Sequence, residues 1–120
     1  MNFFSRKPAA QPLTAQDAVA MSKNGEITVI DVRDHNEIAK SGKAKNAHHI
    51  PLMMIQTHAN PNHPEFNKAL DTTKPVAVYC ASGGRSGMAT RTLTQMGFEN
   101  VHNIGSLMHW QSAGGELERG

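Results

Sequence analysis

The chain has 120 residues, enough for one compact domain, and 38% of them are hydrophobic. Twelve Lys and Arg stand against ten Asp and Glu, for a formal charge of +2. That small excess, scattered with no basic run longer than Arg6-Lys7, argues against a nucleic-acid or membrane-surface partner. The single cysteine, Cys80, excludes an internal disulfide and a cysteine-built zinc site, which suits a reducing compartment. No basic-then-apolar leader and no bilayer-length apolar run occurs, so a cytoplasmic location is expected.

Residues 1–12 carry Pro8 and Pro12 without periodicity and read as a loose lead-in to a domain spanning 13–120. Thr14 and Asp17 form a capping-box start, and Ala15, Ala18 and Val19 share one face of a helix that stops at Asn24-Gly25. Residues 27–32, β-branched and nearly all apolar, predict a buried strand, and a short helix follows over 35–40. Ile50-Pro51 closes a short strand, because the residue before proline is pushed to extended geometry. A helical turn is expected over 52–58 and another short helix over 65–70.

Pro75 introduces a second buried strand, 76–79, that runs directly into Cys80. Residues 86–96 read as a helix with Ala89, Leu93 and Met96 on one face, ended by Gly97. A third strand over 101–104 and a last helix over 107–112, with Trp110 as a core anchor, complete the pattern. Strands alternating with helices define an α/β domain: a mostly parallel sheet with helices on both faces.

The chemistry concentrates in Cys80-Ala81-Ser82-Gly83-Gly84-Arg85-Ser86. A cysteine at the carboxyl end of a buried strand stands where open α/β sheets bind ligands. Gly83 and Gly84 let the backbone turn so that successive N–H groups aim at one spot, and the helix start favours an anion there. Arg85 adds a permanent fork-shaped cation. Together these lower the thiol pKa, and the same cradle fits a persulfide, whose outer sulfur is also an anion. An inert buried thiol, the commonest state of a free cysteine, needs none of these neighbours.

The string Cys80-x-x-Gly83-x-Arg85-Ser86 after a valine-rich strand resembles the active-site loop of rhodanese domains. Val29-Ile30-Asp31-Val32-Arg33, Ala47-His48-His49-Ile50-Pro51 and Met96-Gly97-Phe98-Glu99-Asn100-Val101 with Ile104-Gly105 and Trp110 resemble further segments of that family, over roughly residues 12–115. Asn46 stands where the family often has glycine, which asparagine can replace in left-handed geometry.

The resemblance implies a small sheet of about five strands and a cofactor-free, two-step sulfurtransferase. In that reaction Cys80 takes a sulfane sulfur from thiosulfate or a persulfide donor and passes it to a thiol or cyanide, or to a protein acceptor. Cys80 and Arg85 are then the catalytic residues, Ala81, Ser82, Gly83, Gly84 and Ser86 the persulfide-binding loop. Asp31 and Arg33 are supporting candidates, against a purely structural pairing.

Two rivals remain. One is a non-catalytic carrier or regulatory module on the same fold, and the other is phosphatase or arsenate-reductase chemistry. The second uses an arginine six positions after the cysteine, where this chain has Ser86. Seven histidines, including adjacent His48 and His49, suggest no metal set and read as solvated surface groups. Met53, Met54 and Met108 read as core or rim packing.

Overall fold

The computed structural model describes residues 13–120; the lead-in expected over 1–12 lies outside the described residues. Helix α1 (Ala15–Lys23) starts at the capping box of Thr14 and Asp17 and leads into β1 (Thr28–Asp31). Helix α2 (His35–Ser41) starts at a second capping box, made by Asp34 and Glu37. Then come β2 (Lys43–Ala44), β3 (His48–His49), a 3-10 turn (Leu52–Met54) and α3 (Ile55–His58). Strand β4 (Val76–Cys80), α4 (Gly84–Gln95), β5 (Val101–Ser106), α5 (Leu107–Ser112) and β6 (Leu117–Glu118) complete the order.

The main sheet is parallel, in the order β3-β1-β4-β5, so it has four strands. The remaining two strands, β2 and β6, pair antiparallel as a separate ribbon, with Lys43 opposite Glu118. Sequence patterning gave no sign of this ribbon, because two-residue strands have no period to detect.

Every residue of β1 and β4 is buried, as a parallel sheet covered on both faces requires. Successive side chains divide between two cores. Ile30, Val32, Val76, Val78 and Cys80 pack with Ile55, Ala89, Leu93 and Phe98 on the α3–α4 side. Ile27, Val29, Ala77 and Tyr79 pack with Ala18, Val19, Leu107 and Trp110 on the α1–α5 side. The period-two alternation of β4 therefore decides that Cys80 faces α4, and Trp110 is the anchor of the opposite core.

Three expectations need correction. Residues 65–70 form turns rather than a helix; Asn67 caps its own turn by accepting from the Ala69 N–H, an alternative to helical bonding. Met53 and Met108 are 86% and 72% exposed, and of the three methionines only Met54 packs against a core. His48 and His49 are half-buried rather than solvated, and the His49 Nε2 lies 2.6 Å from the Arg33 carbonyl. Asn46 does take left-handed geometry, at φ 69°.

Candidate active site

Strand β4 ends at Cys80, and α4 begins four residues later, so the chain must reverse direction within Ala81–Gly83. Gly83 makes this possible by adopting φ 100°, which disfavours any side chain. Its amide then donates to Cys80 Sγ at 3.0 Å. The Ser86 amide, in the first turn of α4, reaches the same sulfur at 3.4 Å, and the Ser86 hydroxyl also lies 3.4 Å away. Cys80 and Ser86 are fully buried, whereas Ala81, Ser82 and Gly84 are exposed above them.

Burial is the largest influence on the Cys80 thiol and pushes its pKa up. The Ser86 hydroxyl opposes it, followed by the backbone amides of Ser86, Ser82 and Gly83. The donors win, and the thiol falls from 9.0 to about 7. That brings the thiol nearer to neutrality than an ordinary cysteine, toward its nucleophilic thiolate form.

Arg85 is engaged elsewhere. Its two terminal nitrogens donate to the two carboxylate oxygens of Glu37 at 2.7 and 2.8 Å. Glu37 also accepts from the Asp34 amide, so the α2 capping box fixes the position of the carboxylate that holds the arginine. The fork-to-fork pair drives the Glu37 carboxyl down to about 2 and raises Arg85 further above its already high value. Arg85 still feels the Cys80 charge. The cation read from the sequence is present beside the loop, but half of a neutral pair. Glu37 escaped the sequence reading, although Asp34-x-x-Glu37 is a capping-box spacing that could have placed it at the start of α2.

Asp31 and Arg33 form a buried pair on the other side of the sheet from the sulfur. Arg33 Nε and Nη2 donate to the Asp31 carboxylate, Nη1 to the Ser41 hydroxyl and Nη2 to the Gly42 carbonyl. Burial works against the Arg33 charge, and the Asp31 bonds more than offset it. The guanidinium lies 5.7 Å from the Tyr79 ring centroid, and the Tyr79 hydroxyl accepts from the Ala44 amide. All these contacts tie the α2–β2 connection to the sheet.

Behind the loop, β5 is bulged: Val78 pairs with Asn103 but Tyr79 with Gly105. Gly105 sits at φ 95°, and a Cβ there would meet His109 Nδ1 at 2.5 Å. The bulge presents Asn103 to the Cys80 loop, where its Oδ1 lies 2.7 Å from the Ser86 hydroxyl. Sequence reading missed Asn103. Among the described residues no group of three or more His, Cys, Asp or Glu could hold a metal ion, and no helix is long and apolar enough to cross a membrane.

A four-stranded parallel sheet with a cysteine at one strand end, a glycine turn and a helix start defines an α/β domain. The rhodanese-like domain family matches residues 14–113, and the chain belongs to that family. A Coxiella burnetii thiosulfate sulfurtransferase, GlpE, is 30% identical over 97 residues, 80% of this chain and 82% of its own. A mitochondrial protein of Schizosaccharomyces pombe, provisionally named a thiosulfate sulfurtransferase, is 35% identical over 88 residues, 68% of this chain. The match spans only 61% of that protein's length. Among solved structures, a Rhodopseudomonas palustris protein of unknown function, described as a possible tyrosine phosphatase, shares 33% identity at a TM-score of 0.76. The alignment covers 90% of this chain and 84% of that one.

Proposed function

We propose that the protein is a sulfurtransferase in which Cys80 carries a sulfane sulfur as a persulfide. One observation carries this reading: the amides of Gly83 and Ser86 converge on the Cys80 sulfur, with the Ser86 hydroxyl beside them. The names of the Coxiella burnetii and Schizosaccharomyces pombe relatives support it.

In the first step the Cys80 thiolate attacks the outer sulfur of thiosulfate or a similar donor. A new S–S bond forms on Cys80 as the donor's S–S bond breaks, and sulfite leaves with the electron pair. In the second step a thiol or cyanide attacks the outer sulfur of the persulfide, and Cys80 departs as the thiolate. Neither step needs a cofactor or an external oxidant. Ala81–Ser86 supply backbone and hydroxyl donors to the sulfur anion, as an oxyanion hole supplies them to oxygen. Arg85 orients the anionic donor, and its pairing with Glu37 tempers that charge. Asp31 and Arg33 hold the scaffold and take no part in the chemistry.

Only four residues separate Cys80 from Arg85, one fewer than in a loop whose arginine stands six positions after the cysteine, so the loop is sized for a sulfur rather than for a phosphate ester. The test is thiocyanate formation from thiosulfate and cyanide by the wild type and Cys80→Ser. Turnover that vanishes in the serine variant supports the proposal; comparable turnover in both refutes it.

A further inference from the structure

The Ser86 hydroxyl has one proton and three acceptors around it. Asn103 Oδ1 lies at 2.7 Å, Cys80 Sγ at 3.4 Å and the Gly105 carbonyl at 3.5 Å. Which group receives the proton depends on which way the Asn103 amide points, and two further contacts decide that. The Gly105 N–H donates to one end of the amide at 3.0 Å, so that end is the oxygen. The other end faces the Gly83 carbonyl at 3.0 Å, so it is the nitrogen and donates. An amide oxygen cannot donate, so at 2.7 Å Ser86 must donate to Asn103. Its lone pairs are then turned toward the sulfur.

A hydroxyl in that orientation can accept from a Cys80 S–H but cannot donate to a thiolate. The chain Cys80 S–H to Ser86 O–H to Asn103 Oδ1 therefore favours the neutral thiol. To solvate the thiolate, the Ser86 proton must leave Asn103 and rotate to the sulfur. We propose that Asn103 is a positioning residue that sets the thiol–thiolate balance of Cys80 by competing with the sulfur for the Ser86 proton. Through its nitrogen it also clamps the loop at Gly83, so one side chain ties the geometry of the cradle to its charge.

Among the described residues, the other titratable groups nearby are engaged elsewhere. Arg85 on α4 is held by Glu37 of α2, and Asp31, Arg33 and Tyr79 are engaged with one another on the far side of the sheet. His109 of α5 is engaged with the Ser106 hydroxyl and amide. The inference deepens the proposed use of Cys80 but is tested without any sulfur donor.

The experiment measures the rate of Cys80 alkylation against pH for the wild type, Asn103→Ala, Ser86→Ala and the double variant. Unchanged circular dichroism is the entry condition, and Asn103→Leu replaces the alanine variant if that one does not fold. Removing the competitor should lower the midpoint by about half to one pH unit, because a hydrogen bond to a charged group becomes fully available. On the Ser86→Ala background the same substitution should leave the midpoint in place. A midpoint that rises or does not move in Asn103→Ala overturns the proposal and leaves Asn103 as a clamp alone. A shift that persists without the Ser86 hydroxyl also overturns it. Failure of sulfur transfer itself would appear in the thiocyanate assay and leave these midpoints interpretable.

Discussion

The guanidinium of Arg85 and the carboxylate of Glu37 meet fork to fork, at 2.7 and 2.8 Å, across 48 positions of sequence. Both side chains are about one-third exposed, so the pair is partly screened, yet its position matters because it lies beside the loop over Cys80. Replacing Glu37 with Gln should release the positive charge toward an anionic donor. The KM for thiosulfate should fall several-fold, while an uncharged persulfide donor should show little change. Arg85→Ala should do the reverse to thiosulfate. Equal effects on both donors would show that the pair only holds the loop.

Acid should act on the same pair. The Glu37 carboxyl is depressed from 4.5 to about 2, so its ionised form stabilises the fold. That contribution is complete above about pH 4.5 and is lost as the pH falls toward 2. Melting temperature against pH should therefore drop more steeply over this window in the wild type than in Glu37→Gln. Parallel curves would contradict the linkage.

The Cys80 midpoint near 7 depends on the Ser86 hydroxyl as well as on backbone amides. Ser86→Ala should raise the midpoint of alkylation by at most about half a pH unit in the wild type, where Asn103 holds that proton, and by about one pH unit on the Asn103→Ala background, as expected when a hydrogen bond to an anion is lost. An unmoved midpoint on that background would show that the amides suffice. Stability carries the same signature. The folded thiol titrates below its unfolded value of 9.0, so the stabilisation is full above that value and is lost as pH falls through 7.

The parts of this site that the sequence made legible are contiguous ones. A valine-rich strand, a cysteine, two glycines and a helix start follow one another within residues 76–86, and local rules read such runs well. What escaped are contacts between distant segments. Glu37 of α2 and Arg85 of α4 meet only through their long side chains, across 48 positions, and Asn103 reaches Ser86 from a strand that bulges between Asn103 and Gly105. The β2–β6 ribbon is two residues long on each side and pairs over 75 positions. The turns over 65–70 look helical by composition, but Asn67 caps them locally.

Asp31 and Arg33 should prove structural. Asp31→Asn leaves a buried guanidinium without its counter-charge, a change that costs about 3–5 kcal/mol in comparable pairs. Chemical denaturation should show that loss, and the Cys80 alkylation midpoint of the remaining folded protein should stay near 7. A moved midpoint at full stability would give the pair a role in the chemistry.

The central claim is the persulfide on Cys80, and intact-protein mass spectrometry after incubation with thiosulfate and removal of excess donor tests it most directly. The account predicts one added sulfur, mapped to Cys80 by peptide fragmentation and removed by cyanide, and none on Cys80→Ser. An unmodified Cys80 in a protein that nonetheless turns thiosulfate and cyanide into thiocyanate would contradict it.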